Sequence, residues 1–301
     1  MNIAIENFSK IWYYILYMFK LRLYMDGVFS LYCNLFDSHL HSQNSPDGHH
    51  SVTFMAETAV DKKFLGIAIT DHCDFDIFAK ERFKTRIMNS EIDSAFAREA
   101  FGDRLIVSFG IEIGQVFHNI KRAESILKRH RFDFILGALH LLKYDNTDFV
   151  SADFTKMASE KIDFYLKKYF EEITDLVNWG KFDILAHFDL PWRYLKKQGV
   201  QIDLKIYREY IDEILRIIVG KGIGLELNMS GLRNNGDTMP PVWVIRRYRE
   251  LGGEIVTIGS DAHSADGLGE GIGDGMGLLK DAGFSSFAFY RGRKPVMLKI
   301  I

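Results

Sequence analysis

From residue 33 onward the chain alternates short apolar runs with longer helical stretches, and this beat constrains the fold more than any other feature. Runs rich in Ile, Val, Leu and Phe cover 33–36, 66–70, 105–113, 132–139, 182–186, 223–228 and 254–259. Their continuous apolarity predicts strands buried on both faces. Between them the spacing predicts helices over 52–63, 89–100, 119–129, 158–179, 204–221 and 241–251. A last helix over 267–282 precedes a strand-like tail, 286–301. Gly180, Gly222 and Gly252 stand just past three of these helices, where a left-handed residue ends a helix. Pro240 and Pro241 open another, where proline is tolerated. Such alternation indicates parallel βαβ units. About seven units close naturally into a barrel, and the alternative is an open doubly wound sheet. No Gly-x-Gly-x-x-Gly follows the first strand, so a dinucleotide-binding sheet has no support. The expected fold class is therefore α/β, a TIM-like barrel in one domain over residues 31–301.

The residues that close each strand carry the chemistry. His39 and His41 follow the first run two apart, so in extended chain both rings aim at one point, with Asp37 on the same side. Asp47 lies in the loop beyond. Later strands end in Asp71-His72, Glu112, His140, His187 and Asp189, Glu226 to Ser230, and Asp261 with His263. Six of the ten histidines thus stand where a parallel barrel gathers its strand ends on one rim. Each residue has a bland alternative. His140 or His187 alone suits a hydrogen-bonded rim position, Glu112 a partner for Arg or Lys, Asp261 a helix N-cap and Asp47 a turn. Together, His39, His41, Asp47, His72, Glu112, His140, His187, Asp261 and His263 would repel or stay unsatisfied without cations between them. Nine donors exceed what one tetrahedral ion uses, so two or three ions with bridging carboxylates are implied. His49 and His50 are expected to face solvent, and His118 and His130 to sit at helix ends. Cys73 is expected to be a packed thiol.

Composition narrows the partners. A net charge of −2 gives no nucleic-acid groove and no membrane-seeking surface. Only two cysteines, Cys33 and Cys73, fit a reducing cytoplasm. Residues 11–19 form an apolar, aromatic run flanked by Lys10, Lys20 and Arg22, too short to span a bilayer. Residues 1–30 read as a non-catalytic extension, or as sequence upstream of a start at Met25; an amphipathic, interfacial helix over the apolar stretch is the alternative, the one exception to the expected absence of a membrane partner.

The order of these motifs resembles the PHP (polymerase and histidinol phosphatase) family: Asp-x-His-x-His, Asp-His, Gly-x-Glu, two single histidines and a closing Ser-Asp-Ala-His. Residues 226–233 and 259–266 look most like its histidinol-phosphatase branch. The resemblance implies a distorted (β/α)7 barrel with three divalent ions, zinc, manganese or iron, at the C-terminal rim. It implies one ion on His39, His41, Glu112 and Asp261, and a second on His72 and His263. Asp47 stands near that second ion where many relatives carry histidine. A third would take His140 and His187 with Glu112 bridging. Asp37 becomes an expected orienter of a histidine. The implied activity is hydrolysis of L-histidinol phosphate to L-histidinol and phosphate in histidine biosynthesis. The alternative is a PHP phosphoesterase acting on another small phosphate ester or nucleotide.

Clustered divalent ions lower the pKa of a bridging water and neutralise charge on phosphoryl oxygens, which predicts direct in-line attack by a bridging hydroxide. A phosphate dianion also needs cationic donors, and Arg193 and Arg233 follow rim strands where guanidinium forks could grip it. Lys143 is a weaker candidate, and Asn228 and Ser230 are expected to orient the substrate. The acid that protonates the leaving alkoxide is expected among Asp71, Asp189 and His263.

Overall fold

The computed structural model describes residues 34–301. The expectations for residues 1–30 lie outside the described residues. Residues Asn34–Ile301 form one compact unit.

Parallel strands follow one another around a sheet: β1 (Phe36–Leu40), β2 (Gly66–Ile69), β4 (Ile106–Gly114), β5 (Phe134–Ala138), β6 (Ile184–Leu185), β7 (Gly224–Asn228) and β8 (Val256–Gly259). A short extra strand, β3 (His72–Asp74), pairs with the upper half of β4. The sheet returns on itself beyond β8. The His41 N–H donates to the Ala262 carbonyl (2.9 Å) and the Asp261 N–H to the His39 carbonyl (2.9 Å). These bonds bring the first and last strands together as a distorted barrel, as the alternation of runs predicts.

The helices between the strands are α1 (Val52–Asp61), α2 (Phe83–Phe101), α3 (Ile120–Arg129), α4 (Ser159–Trp179), α5 (Leu190–Lys197), α6 (Arg208–Lys221), α7 (Ser230–Asn235), α8 (Val242–Glu250) and α9 (Ile272–Asp281). Gly180 and Gly222 end α4 and α6 at φ +62° and +69°, a conformation that costs a side-chain-bearing residue energy. On α4 the buried positions Ile162, Leu166, Tyr169, Phe170, Ile173 and Val177 repeat at three- and four-residue spacing, which gives one apolar stripe. Phe170 meets Tyr207 at 5.5 Å and Trp192 at 5.6 Å, so this stripe anchors the start of α6 and helix α5.

An antiparallel hairpin, β9 (Ser286–Arg291) and β10 (Lys294–Lys299), closes one end of the barrel. Phe289 stacks on Phe36 at 4.7 Å and Tyr290 on Phe134 at 5.0 Å, both at strand beginnings. The Ser108 hydroxyl donates to the Tyr290 carbonyl at 2.9 Å. The hairpin therefore plugs the N-terminal end and leaves the C-terminal rim for chemistry.

Several elements differ from the sequence expectation. Strand β1 runs over Phe36–Leu40, later than the expected 33–36, of which residue 33 lies outside the described residues, and carries His39 inside it. Its polar residues lie beyond the expected apolar run, yet all five strand positions are buried; the Asp37 carboxylate accepts the Ser260 and Gly269 N–H groups, and His39 Nδ1 meets Glu226. Helix α2 begins six residues before the expected 89, with Phe83 and Ile87 adding buried positions. Helix α5 and strand β3 are too short to give a periodic signal.

Candidate metal centre

Glu112, on β4 and fully buried, is the point on which the rim converges. Its Oε2 lies 3.3 Å from His39 Nε2, 3.5 Å from His41 Nε2 and 2.9 Å from His72 Nδ1. Its Oε1 lies 2.7 Å from His187 Nε2 and 3.1 Å from His140 Nε2. Register explains one of these contacts, since His72 on β3 pairs directly with Glu112 on β4. Asp261 joins from beyond β8, with Oδ1 3.4 Å from His41 Nε2 and 3.7 Å from His39 Nε2. Asp47 reaches in from its loop, with Oδ2 3.2 Å from His263 Nε2 and 3.7 Å from His72 Nε2. All nine expected ligands therefore stand in one cluster. Two of them, His187 (φ +21°) and Asp261 (φ +54°), hold left-handed backbone just past β6 and β8, local strain of the kind that functional sites keep.

Outer partners fix how the rings face. His39 Nδ1 lies 2.6 Å from Glu226 Oε1, His140 Nδ1 3.1 Å from Asp74 Oδ1, and His263 Nδ1 3.1 Å from the Asp261 carbonyl. Each of these acceptors holds the proton on Nδ1 and leaves the Nε2 lone pair pointing inward. His41 Nδ1 meets the Ser45 hydroxyl at 3.1 Å. Glu226 and Asp74 escape sequence reasoning as ring-orienting groups. Glu226 was legible only as a strand-end residue, and Asp74 lies two residues past the strand-end motif.

The donor set fits cations. His39 Nε2 and His41 Nε2 face each other at 3.0 Å, a spacing two lone pairs do not hold unaided. His72 Nδ1 is 2.9 Å from a carboxylate oxygen yet makes no aligned hydrogen bond, as when both atoms aim at a third. Three-residue groups with mutually close donor atoms recur: His39, His41 and Asp261; His39, Glu112 and His187; His41, His72 and His263; His72, Asp74 and His140. Within each group every donor atom lies within 4.8 Å of the others. Protons neutralise this nest only in part: against burial, the Glu112 carboxylate pushes the His72 pKa up to about 9, and Glu112 with Asp74 pushes that of His140 well above its ordinary value. Burial, then the charges of His72 and His263, push the His41 pKa well below its ordinary value. Burial opposes charge on His39 too, but the Glu226, Glu112 and Asp261 carboxylates raise its pKa well above the ordinary value. Burial would raise Glu112, yet the His72, His39, His140 and His187 rings hold it well below the usual carboxylate range. The carboxylates stay ionised and the rings cannot all charge, so divalent cations are the fitting counter-charge.

Other expected residues fall in different places. Asp37 does not orient an imidazole. Its carboxylate accepts backbone N–H bonds from Ser260 (2.9 Å), Gly269 (2.9 Å) and His39 (3.3 Å), so it ties the rim loop after β8 to β1. Asp71, expected as an acid, is ringed by the Ser42 N–H (2.6 Å) and the hydroxyls of Ser42 (2.9 Å), Ser45 (3.1 Å) and Ser90 (2.5 Å). It braces the loop that carries His41. Asp189 faces a cavity beside the cluster, and burial pushes its pKa well above the usual range. Of the three acid candidates, only His263 belongs to the cluster.

Arg193 Nη1 lies 3.4 Å from Ser230 Oγ and 3.8 Å from Asp261 Oδ2, at the cluster's edge. Arg233 is differently engaged: Nη2 donates to the Ser260 carbonyl (2.9 Å) and Nη1 lies 3.4 Å from Glu270. Asn228 Oδ1 accepts from the Ser230 N–H (3.0 Å), and its Nδ2 donates to Glu226 Oε2 (3.2 Å). Ser230 Oγ stands 3.2 Å from Asp261 Oδ2. Lys143 is exposed on the loop after β5. Cys73 is a buried free thiol, as expected. His50 differs from expectation, since its Nδ1 accepts the Ala265 N–H at 3.1 Å. Among the described residues no helix is long and apolar enough to cross a membrane.

Residues 37–230 match the PHP domain. A Clostridium acetobutylicum protein named "Probable histidinol-phosphatase" is 33% identical over 241 residues, covering 78% of this chain and 89% of that protein. A Thermotoga maritima protein of the same name is 29% identical over 269 residues, covering 88% of this chain and all of that one. The crystal structure of histidinol phosphate phosphatase from Lactococcus lactis, complexed with zinc, L-histidinol and phosphate, aligns with TM-score 0.70 and 23% identity. It covers 87% of this chain and 99% of that chain, which matches the barrel.

Proposed function

The chain belongs to the PHP domain family, and on that premise we propose that it is a metal-dependent histidinol-phosphatase, hydrolysing L-histidinol phosphate to L-histidinol and phosphate. The observation that carries the chemistry is the convergence of five imidazoles on the Glu112 carboxylate. The names of the relatives at 33% and 29% identity support the substrate.

Three divalent ions suit the donors. His39, His41, Glu112 and Asp261 would hold one, His72, His263 and Asp47 a second, and His140 and His187 with Glu112 bridging a third. Imidazole and carboxylate donors accept zinc, manganese or iron. When bound, such ions lower the pKa of a water and neutralise charge building on phosphoryl oxygens.

The chain's own residues do the rest. Glu226 and Asp74 keep protons on the outer nitrogens of His39 and His140, so their inner nitrogens stay available. Arg193, at the edge of the cluster, is placed to grip phosphoryl oxygens. Arg233 steadies Ser260 and the turn that carries Asp261. Asn228 and Ser230 link Glu226 to Asp261 through hydrogen bonds, which couples substrate contact to ring orientation. This reading places the chain in histidine biosynthesis, in the cytoplasm, acting on a small phosphorylated substrate and not on nucleic acid.

The test is phosphate release from L-histidinol phosphate against a nucleotide panel, with added manganese or zinc and after chelation. Strong preference for histidinol phosphate, lost on chelation, is expected. Equal rates on every substrate would remove the specific claim, and activity indifferent to chelation would remove the metal mechanism.

A further inference from the structure

Ser45 ties together the two rim segments that carry His41 and His72. Its hydroxyl, 1% exposed, meets three partners: the His72 backbone N–H at 3.0 Å, Asp71 Oδ1 at 3.1 Å and His41 Nδ1 at 3.1 Å. A hydroxyl offers one proton and two lone pairs. The backbone N–H can only donate, so it takes one lone pair. Asp71 claims the proton. This buried carboxylate sits among donors, the Ser42 N–H (2.6 Å) on Oδ1 and the hydroxyls of Ser42 (2.9 Å) and Ser90 (2.5 Å) on Oδ2. The Ser42 hydroxyl itself accepts the Asn44 N–H (3.1 Å) and side-chain amide (3.2 Å), so its proton also goes to Asp71. With its proton on Asp71, Ser45 has one lone pair left for His41, and only a ring protonated on Nδ1 fills it. His41 differs here from His39, His140 and His263. Those rings face a carboxylate or a carbonyl, which fixes the ring proton unaided. A hydroxyl alone suits either tautomer, so for His41 the choice falls to Asp71, which Ser45 reaches on its far side.

We propose that Ser45 and Asp71 form a relay that keeps the proton on His41 Nδ1 and so leaves its Nε2 lone pair free for a divalent cation. The inference rests on the metal-centre reading and deepens it. His41 belongs to two of the close donor groups, one with His39 and Asp261 and one with His72 and His263, so the state of this one ring bears on two neighbouring sites. The same hydroxyl holds the His72 backbone, which ties the position of a second donor to the same oxygen. Asp71 stands in none of the donor groups. Ser45 and Asp71 are therefore positioning residues, which act through His41 and His72.

The experiment uses the full chain, isotope-labelled and stripped of metal. Long-range proton–nitrogen correlation reads the ring nitrogens of His41, whose signals are identified by their loss in His41→Gln. Zinc is then titrated back against a competing chelator. In wild type the neutral ring should carry its proton on Nδ1. In Ser45→Ala the proton should pass in part to Nε2, and the zinc dissociation constant should rise by about 10- to 100-fold. Ser90→Ala removes a donor from Asp71 but keeps the bond between Ser45 and His41, so it should lower Tm while the ring proton stays on Nδ1. A wild-type ring protonated on Nε2 overturns the inference, whether or not the variants fold. A ring proton or a zinc affinity that Ser45→Ala leaves unchanged overturns it too. So does an equal shift in Ser90→Ala, which would mean a loosened loop. A wild-type chain that binds no divalent ion overturns the metal-centre reading itself, a different outcome from zinc binding that ignores Ser45.

Discussion

His39 Nδ1 and Glu226 Oε1 lie 2.6 Å apart, both fully buried, although 187 residues separate them in the chain. The same carboxylate accepts the His187 backbone N–H through Oε2 at 3.0 Å. One side chain on β7 thus orients a ring on β1 and a turn after β6. Glu226→Gln keeps the shape but can place an amide N–H against one of those two donors. The expected outcome is a 10- to 100-fold loss of metal affinity, the usual cost of removing such a partner. Zinc titration against a competing chelator checks it, and unchanged affinity would show that the bond is not what orients His39.

Glu112 is the carboxylate shared by the most rings. Glu112→Gln should lower kcat on the order of 10³-fold, because a bridging charge disappears from a site whose transition state is anionic. Elemental analysis should find at least one ion per chain fewer than in wild type. Full occupancy with full activity would contradict the bridging role.

The two rim arginines should separate in their effects. Arg193→Ala should raise KM for phosphate esters by about 10- to 100-fold with a smaller change in Tm, because its guanidinium makes one long bond to the Ser230 hydroxyl (3.4 Å) and lies 3.8 Å from Asp261 Oδ2. Arg233→Ala should lower Tm as well, because Arg233 bonds the Ser260 and Asp261 carbonyls. Kinetics beside a melting curve for each variant checks the split, and the reverse pattern would exchange their roles.

A stability effect of pH is expected away from the rim. The Arg247 guanidinium grips Asp212 through two 2.8 Å bonds and holds its pKa below the ordinary 3.8. A folded pKa below the unfolded one means the pair stabilises above about pH 3.8 and stops doing so as pH falls through the lowered value. Asp212→Asn should therefore lower Tm by about 1–2 °C at pH 7, with the difference from wild type closing as pH falls through the lowered pKa of Asp212. A difference that stays constant with pH would assign the effect to packing.

Much of this molecule is readable along the chain because its signals are local. Buried parallel strands need unbroken apolar runs, and helix ends need glycines such as Gly180 and Gly222, so the βαβ order survives in the one-dimensional text. The rim residues are legible for the same reason: a barrel sends every strand end to one face, so strand-end histidines must meet. The sequence by itself therefore determined the barrel class and the cast of the cluster.

Tertiary structure decided what each group touches. Asp37, Asp71 and Asp189 are alike as letters beside histidines, yet one binds backbone N–H groups, one is ringed by serines and one faces a cavity. Glu226 and Asp74 acquire their roles only when β7 comes beside β1 and β3 brings Asp74 to His140. Hydrogen bonding acts over about 3 Å and is indifferent to sequence separation. Which carboxylate orients a ring, braces a loop or lines a cavity is thus settled by the neighbours that folding delivers, and those neighbours are not written beside it in the chain.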